Sequence, residues 1–300
     1  MHIDKDSRVI LLPETESPAE FKILELPTSN NLSTTKSYLF DATTNSLYEL
    51  NEIRTSESAK LKSGDAVKSY ILESDTSGAI IQSPRTIISS KFNLVYLLIS
   101  ILSSQKEDRF ITVDDFMDRV AWSHNLPESV ISNALVQICD ELDQGDAKFY
   151  KFSLDKSIQF VNEKITKLVE FFTNEKNTVI EKVRAELNDP TSTEVVSQQL
   201  VSELTLQYAI DYVCGSYIAE PTFKQDLIKK YQYKFDNVDA YLAKLKEKQK
   251  SLAVVEANMN EVIHSTVKNR KKEQKKTIKK VQTKKVAVGK GALDGFFKKA

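Results

Sequence analysis

Three sets of residues in this 300-residue chain have types and spacings that could do chemistry: a carboxylate pair, a few histidines and cysteines, and an apolar triplet near the end. Phosphoryl transfer on divalent metals needs clustered carboxylates, usually on or beside a strand. Asp114 and Asp115 form the one tight pair in a segment that reads as folded. As neighbours in a first helical turn, their side chains diverge by about 100° and serve the helix dipole rather than a shared metal. His2, His124 and His264 are the only histidines, and the first and last fall in segments that read as tails. No Ser or Cys stands in a nucleophile elbow, and seven glycines leave no phosphate-cradling loop. Cys139 and Cys214 lie far apart, with no CxxC and no neighbouring His, and read as buried thiols in a reducing compartment. The sequence therefore predicts no catalytic residue, no metal ligand and no cofactor.

The triplet is different. Leu293, Phe296 and Phe297 stand at i, i+3 and i+4, so in a helical or tight 3₁₀ turn they share a face and form an apolar plug. Burying all three contributes about 5–9 kcal/mol before ordering costs, which leaves an affinity of about micromolar. The spacing resembles the peptide by which replication and repair proteins dock on the sliding clamp that encircles DNA: Gln, two residues, an aliphatic, two residues, two aromatics. Lys290 stands where that pattern has Gln.

Charge patterning supports a tethering tail. Residues 268–299 carry 13 Lys/Arg against Glu273 and Asp294, whereas residues 1–267 carry 29 against 40. A split of that kind points to a polyanionic partner at the basic end. The lysine pairs Lys271/Lys272, Lys275/Lys276 and Lys279/Lys280 suit a nuclear-import signal, hence a nuclear location, and weak, salt-sensitive contact with a DNA backbone. No charged n-region precedes an apolar run at the start, and the most apolar stretch, FNLVYLLISIL (92–102), is too short to span a bilayer. The expectation is a protein that is neither secreted nor membrane-embedded.

The elements behind these residues read as an α+β chain. Residues 1–88 hold six short apolar or alternating runs separated by Pro, Asn, Ser, Asp and Gly: RVILLP, FKILELP, SYLF, LYELNEI, VKSYIL and GAIIQS. They suggest a small barrel or sandwich, short of large residues, whose exposed edges a second chain completes by strand pairing, or else a self-contained barrel. From Pro84 the period becomes helical. Three helices, the third written as LPESVISNALVQICDEL with Val130, Ile131, Leu135, Ile138 and Leu142 inward, lead to a turn and an aromatic strand at KFYKF. That order is a winged helix, within a helical domain at 89–238. Its third helix, with Glu128, Asp140 and Glu141 and no cation, is poor chemistry for a phosphate-lined groove, which leaves either Lys148 and Lys151 on the wing to touch a backbone or the whole module as a packing block. Residues 239–267 read as a helix or linker, and 268–300 as a disordered basic tail.

Taken in order, RVILLP, YLFDATTNSLYEL (38–50), KFNLVYLLISIL (91–102), KFYKFSLDKSIQFVNEKITKLV (148–169), LQYAIDYVCGSYI (206–218) and LDGFF (293–297) resemble the B-type subunit of the eukaryotic type 2 ribonuclease H, a heterotrimer that cuts RNA in hybrids and incises at ribonucleotides in DNA. The resemblance implies strands interleaved with those of the C-type subunit in a shared barrel, catalysis confined to the A-type subunit, and a non-catalytic role here as scaffold, winged-helix DNA contact and clamp tether. It implies weak contact with RNA/DNA hybrid or duplex and none with membranes. Two other classes compete: an accessory subunit of a replicative DNA polymerase, against which the β-rich start counts, and a free-standing sequence-specific DNA-binding factor.

Overall fold

The structure is a computed structural model that describes residues 8–14, 20–53, 69–74, 77–82, 85–105, 109–145, 147–174, 178–189, 191–192 and 195–281. The amino-terminal strands are β1 (Arg8–Leu11), β2 (Phe21–Thr28), β3 (Asn31–Asp41), β4 (Ser46–Ile53), β5 (Ser69–Ser74), β6 (Ser77–Gln82) and β7 (Arg85–Phe92). Five of them form one sheet in the order β1-β7-β4-β3-β2, and β5 and β6 form a separate hairpin. β7 corrects the sequence reading, which has helical periodicity from Pro84 and a boundary at residue 88. Instead this strand runs across that position, pairing parallel with β1 and antiparallel with β4. Its Thr86-Ile87-Ile88 run carries the β-branched signal, but the apolar helix immediately behind it hides where the period changes.

The β3–β4 turn is set locally. Asp41, buried, accepts hydrogen bonds from the Thr43 backbone N–H at 2.9 Å and the Thr44 hydroxyl at 2.6 Å, and Asn45 takes the left-handed φ of 53° that Asn tolerates. This turn fixes the register that puts Phe40 opposite Leu47, and Leu47 opposite Phe92. These three, with Tyr38 whose ring lies 4.9 Å from that of Phe92, make the packed face.

Against it lies α1 (Val95–Gln105), apolar on nearly every side and therefore buried on nearly every side: Leu97, Leu98 and Ile99 are all at 0% exposure. Its buried hydroxyl, Ser100, accepts a hydrogen bond from the Ala219 N–H at 3.0 Å, so no polar group is stranded there. There follow α2 (Val113–Arg119), a 3₁₀ turn (Ala121–Asn125), α3 (Glu128–Leu135), strands β8 (Cys139–Asp143) and β9 (Lys148–Phe152), and helices α4 (Leu154–Thr173), α5 (Val179–Leu187), α6 (Gln198–Tyr217) and α7 (Phe223–Tyr231). One apolar core runs from Leu26, Tyr38 and Phe92 of the sheet through Leu98 to Ile131, Val161, Ile210 and Leu227. Sheet and winged helix are thus not separately cored.

α3 is shorter than the sequence suggests. Val130, Ile131, Leu135, Ile138 and Leu142 do fall on one helical stripe, yet the helix ends at Leu135 and Cys139–Asp143 pairs as β8 with β9, which leaves Leu142 39% exposed. Cross-strand hydrogen bonding to KFYKF takes the segment that helical periodicity claims.

A second unit consists of the described part of 189–194 and α8 (Asp236–Val281). Lys248 Nζ donates to Asp189 Oδ2 at 2.7 Å, and Thr191 donates to the other oxygen from its N–H and hydroxyl. These donors, Lys248 foremost, hold the Asp189 carboxyl at about 2. At 46 residues and 1.5 Å per residue, α8 is about 69 Å long. It continues through 268–281, where the charge run reads as disordered: the segment lacks Gly and Pro, and Lys, Arg, Gln and Glu are good helix formers. Side-chain detail stops at Met259. No helix among the described residues is long and apolar enough to cross a membrane.

Candidate functional site

The first candidate surface is the uncovered part of the amino-terminal strands. Among the described residues, β1 and β2 are hydrogen-bonded on one side only, and the β5–β6 hairpin pairs only with itself. Such edges invite strand addition, and a lone hairpin is marginal in water. Ile71 and Ile80 face each other across the hairpin at 75% and 64% exposure, and Ile23 of β2 is 60% exposed. On the sheet face opposite Phe40, Leu39, Leu50 and Ile87 form a small buried cluster flanked by Ile10, Phe21 and Tyr48. A groove of about 490 Å³ lies beside it, with Arg8, Lys36 and Glu52 among the apolar lining residues. Alternation in the sequence marks these strands, but it does not say which of the apolar positions the rest of the chain fails to cover.

The second surface is the winged helix. Thr112 and Asp115 form the expected acidic capping box: Asp115 N–H donates to Thr112 Oγ1 at 3.1 Å and Thr112 N–H to Asp115 Oδ2 at 3.2 Å. The Thr112 donors keep the Asp115 carboxyl below its usual range. Ile111 and Tyr150 exchange backbone hydrogen bonds at 2.9 and 2.8 Å and seat the wing against α2. The wing turns at Gly145, whose φ of 81° favours glycine and whose N–H donates to Asp143 at 3.0 Å.

Electrostatics on this module differ from the sequence reading in one respect. Asp140 and Glu141 sit on β8, not on the third helix, so α3 itself holds only Glu128. Its outward residues Ser129 and Asn133, and Gln137 just beyond its end, are polar and uncharged. In register, Lys148 stands opposite Asp143, and Lys151 opposite Asp140, so each wing lysine faces a carboxylate across the ladder. Lys156 reaches over from α4 to Asp140 at 3.0 Å and to the Cys139 carbonyl at 2.7 Å, pinning the wing root. Among the described residues, the groove between α3 and the wing, about 580 Å³, presents Asp114 and Glu128 against one cation, Lys148. A duplex backbone would meet more negative than positive charge there.

The remaining residues singled out by sequence do not converge. Cys139 and Cys214 are both buried, and burial pushes their thiols up to about 12 and about 11. His124 is exposed in the 3₁₀ turn, and no group of three metal-binding side chains meets among the described residues. Lys271, Lys272, Lys275, Lys276, Lys279 and Lys280 lie on α8, where the backbone alone is described. Lys290, Leu293, Phe296 and Phe297 lie outside the described residues.

Comparison with known proteins fits this architecture. Residues 11–93 match the Ydr279p protein triple barrel domain, and residues 96–228 match the wHTH domain of the Ydr279p protein family (RNase H2 complex component). The B-type subunit of ribonuclease H2 from Saccharomyces cerevisiae is 28% identical over 213 residues, which cover 66% of this chain and 57% of that relative, so the chain spans less than two thirds of the relative's length. The junction between the two matched domains falls just after β7, where the sheet hands over to α1. With both domains present in that order over an open sheet and a winged helix, the chain belongs to the Ydr279p family of RNase H2 complex components.

Proposed function

We propose that this chain is a non-catalytic subunit of a ribonuclease H2 complex, and that its amino-terminal strands are completed by strands of a second, C-type subunit. The observation that carries the reading is the uncovered apolar surface at Ile23, Ile71 and Ile80 beside unpaired edges. Strand addition satisfies the edge N–H and C=O groups and buries the isoleucines in one step. Hydrolysis of RNA in hybrids and incision at ribonucleotides in DNA then belong to a catalytic, A-type subunit.

Within that reading the winged helix is chiefly a packing block, because its groove is acidic and its wing lysines face carboxylates. Any contact with hybrid or duplex is weak and rests on Lys148, Lys151 and the α8 lysines. The carboxy-terminal Leu293, Phe296 and Phe297, with Lys290 at the anchor position, tether the complex to the sliding clamp in the nucleus; the i, i+3, i+4 spacing supports this.

The test is reconstitution. The full chain, expressed alone, should melt at a lower temperature than it does in the complex and leave a ribonucleotide-containing duplex uncut. Co-expressed with its A-type and C-type companions, it should co-purify stoichiometrically and restore cleavage. Cleavage by the chain alone would overturn the non-catalytic assignment, and a chain as stable without companions as with them would overturn the completed barrel. Replacing Phe296 and Phe297 by Ala should remove clamp binding in a pull-down and leave cleavage of short substrates intact.

A further inference from the structure

The long helix α8 carries an apolar stripe that is covered at its start and open beyond it. Val238, Leu245, Leu252 and Met259 follow at seven-residue intervals, so on a helix they lie on one side with a drift of about 20° per step. Val238 and Leu245 are buried, at 0% and 5% exposure, with Tyr241 half-buried between them. Leu252, Val255 and Met259 continue the same side at 39%, 53% and 59%. Val262 keeps the spacing in the sequence. Val254, also exposed, lies on the far side with no large apolar residue three or four positions away, as single surface valines do. Heptad spacing is what lets a second helix set its side chains between those of the first, so the open part of the stripe is a seam without its partner.

Charge along the helix narrows the choice of partner. Residues 251–267 contain no Lys or Arg and two acids, Glu256 and Glu261. Before them, 244–250 carry four lysines against Glu247; after them, 268–281 carry eight Lys/Arg against Glu273. Two of these cations belong to the seam side: Lys244, exposed, flanks its covered end, and Arg270 comes five turns after Leu252, at the same angle of the helix. A second copy of α8 fits poorly. Laid parallel it sets 268–281 against 268–281, and laid antiparallel across the seam it sets them against 237–250, where lysines outnumber acids four to two. Either way cations face cations at about 10 Å, a separation that salt screens only in part. A lipid surface fits no better, since helices in a headgroup layer have a broad apolar face with aromatics and cations along it. Here the stripe is narrow and flanked by Ser251, Glu256 and Asn258.

We propose that Leu252, Val255 and Met259 are the docking seam for an amphipathic helix of a partner protein, with aliphatic residues at heptad spacing in its middle and Asp or Glu at its two ends. The aliphatic residues cover the open stripe, which supplies most of the affinity. The end carboxylates meet Lys244 and Arg270, which lie about 39 Å apart along the axis at about 1.5 Å per residue, and so fix the alignment. The assignment holds whichever complex the chain joins.

The experiment uses the full chain in its co-purified complex, titrated with two fluorescein-labelled synthetic helical peptides. Both carry leucines at heptad positions a and d in the middle; one has glutamates at its ends and the other lysines. The glutamate peptide should bind the parent at least about tenfold more tightly than the lysine peptide, and should lose at least about tenfold on Leu252→Ser with Met259→Ser. Its binding should weaken as salt is raised. The replaced side chains are exposed, so the variant should keep the parent's circular dichroism; Val255→Ser alone serves if the pair does not fold. No binding of the glutamate peptide, equal affinity for the two peptides, or unchanged affinity in the variants would each overturn the proposal. Self-association of the parent in sedimentation, lost in the variant, would overturn it in favour of a second copy. Flotation of the parent with phosphatidylserine vesicles, lost in the variant and untouched by the glutamate peptide, would overturn it in favour of a lipid surface.

Discussion

The two sides of the amino-terminal strands follow the same alternation and meet different ends. On one side Tyr38, Phe40, Leu47 and Phe92 are 1–6% exposed and run into the core with α1. On the other, only Leu39, Leu50 and Ile87 are buried, while Ile23 stands 60% exposed and the hairpin shows Ile71 and Ile80 to solvent. A sheet that is apolar on both faces needs two covers, and the described residues supply one. The difference separates residues that fold the protein from residues left for the proposed neighbour to cover.

That comparison can be broken first at the hairpin. Ile71→Glu with Ile80→Glu should abolish co-purification of the C-type companion, yet shift the unfolding free energy of the chain itself by less than about 0.5 kcal/mol, as for surface changes. A large loss of stability in the uncomplexed chain would show that the hairpin packs on its own protein. The next test sets the two faces side by side. Phe40→Ala should cost about 3–5 kcal/mol in urea unfolding, and Ile23→Ala within about 0.5 kcal/mol; similar costs at the two positions would erase the distinction.

The smallest effect belongs to the turn that sets the register. The Thr44 hydroxyl and the Thr43 and Thr44 backbone bonds hold the Asp41 carboxyl below its usual range. A depressed folded pKa contributes stability that is fully present above the unfolded value, near about 4, and is lost as pH falls through the folded one. Asp41→Asn should therefore leave the acid limb of the stability curve flatter below about pH 4, measured by thermal melts across pH. An unchanged acid limb would remove Asp41 from the register argument.

Much of the chain is legible in order of residues. The capping box at Thr112 and Asp115, the buried character of FNLVYLLISIL, and the strands from RVILLP to LYELNEI follow from local chemistry, because caps, apolar runs and turn residues act over a few positions. Less legible is the handover at β7, since a β-branched strand abuts an apolar helix with only Asn93, whose side chain accepts from the Val95 N–H, and Leu94 between them. The same holds for β8, whose helical stripe yields to a partner strand several residues away, and for α5, which sequence leaves unassigned.

The sequence by itself determined the family, the opposite charges of body and tail, and the types of most elements, because these depend on composition and short-range pattern. Only the tertiary structure decided which apolar face stays uncovered, where the carboxylates of the winged helix stand, and that sheet and helices share a core. Those depend on which distant segments compete for the same backbone hydrogen bonds and the same buried surface.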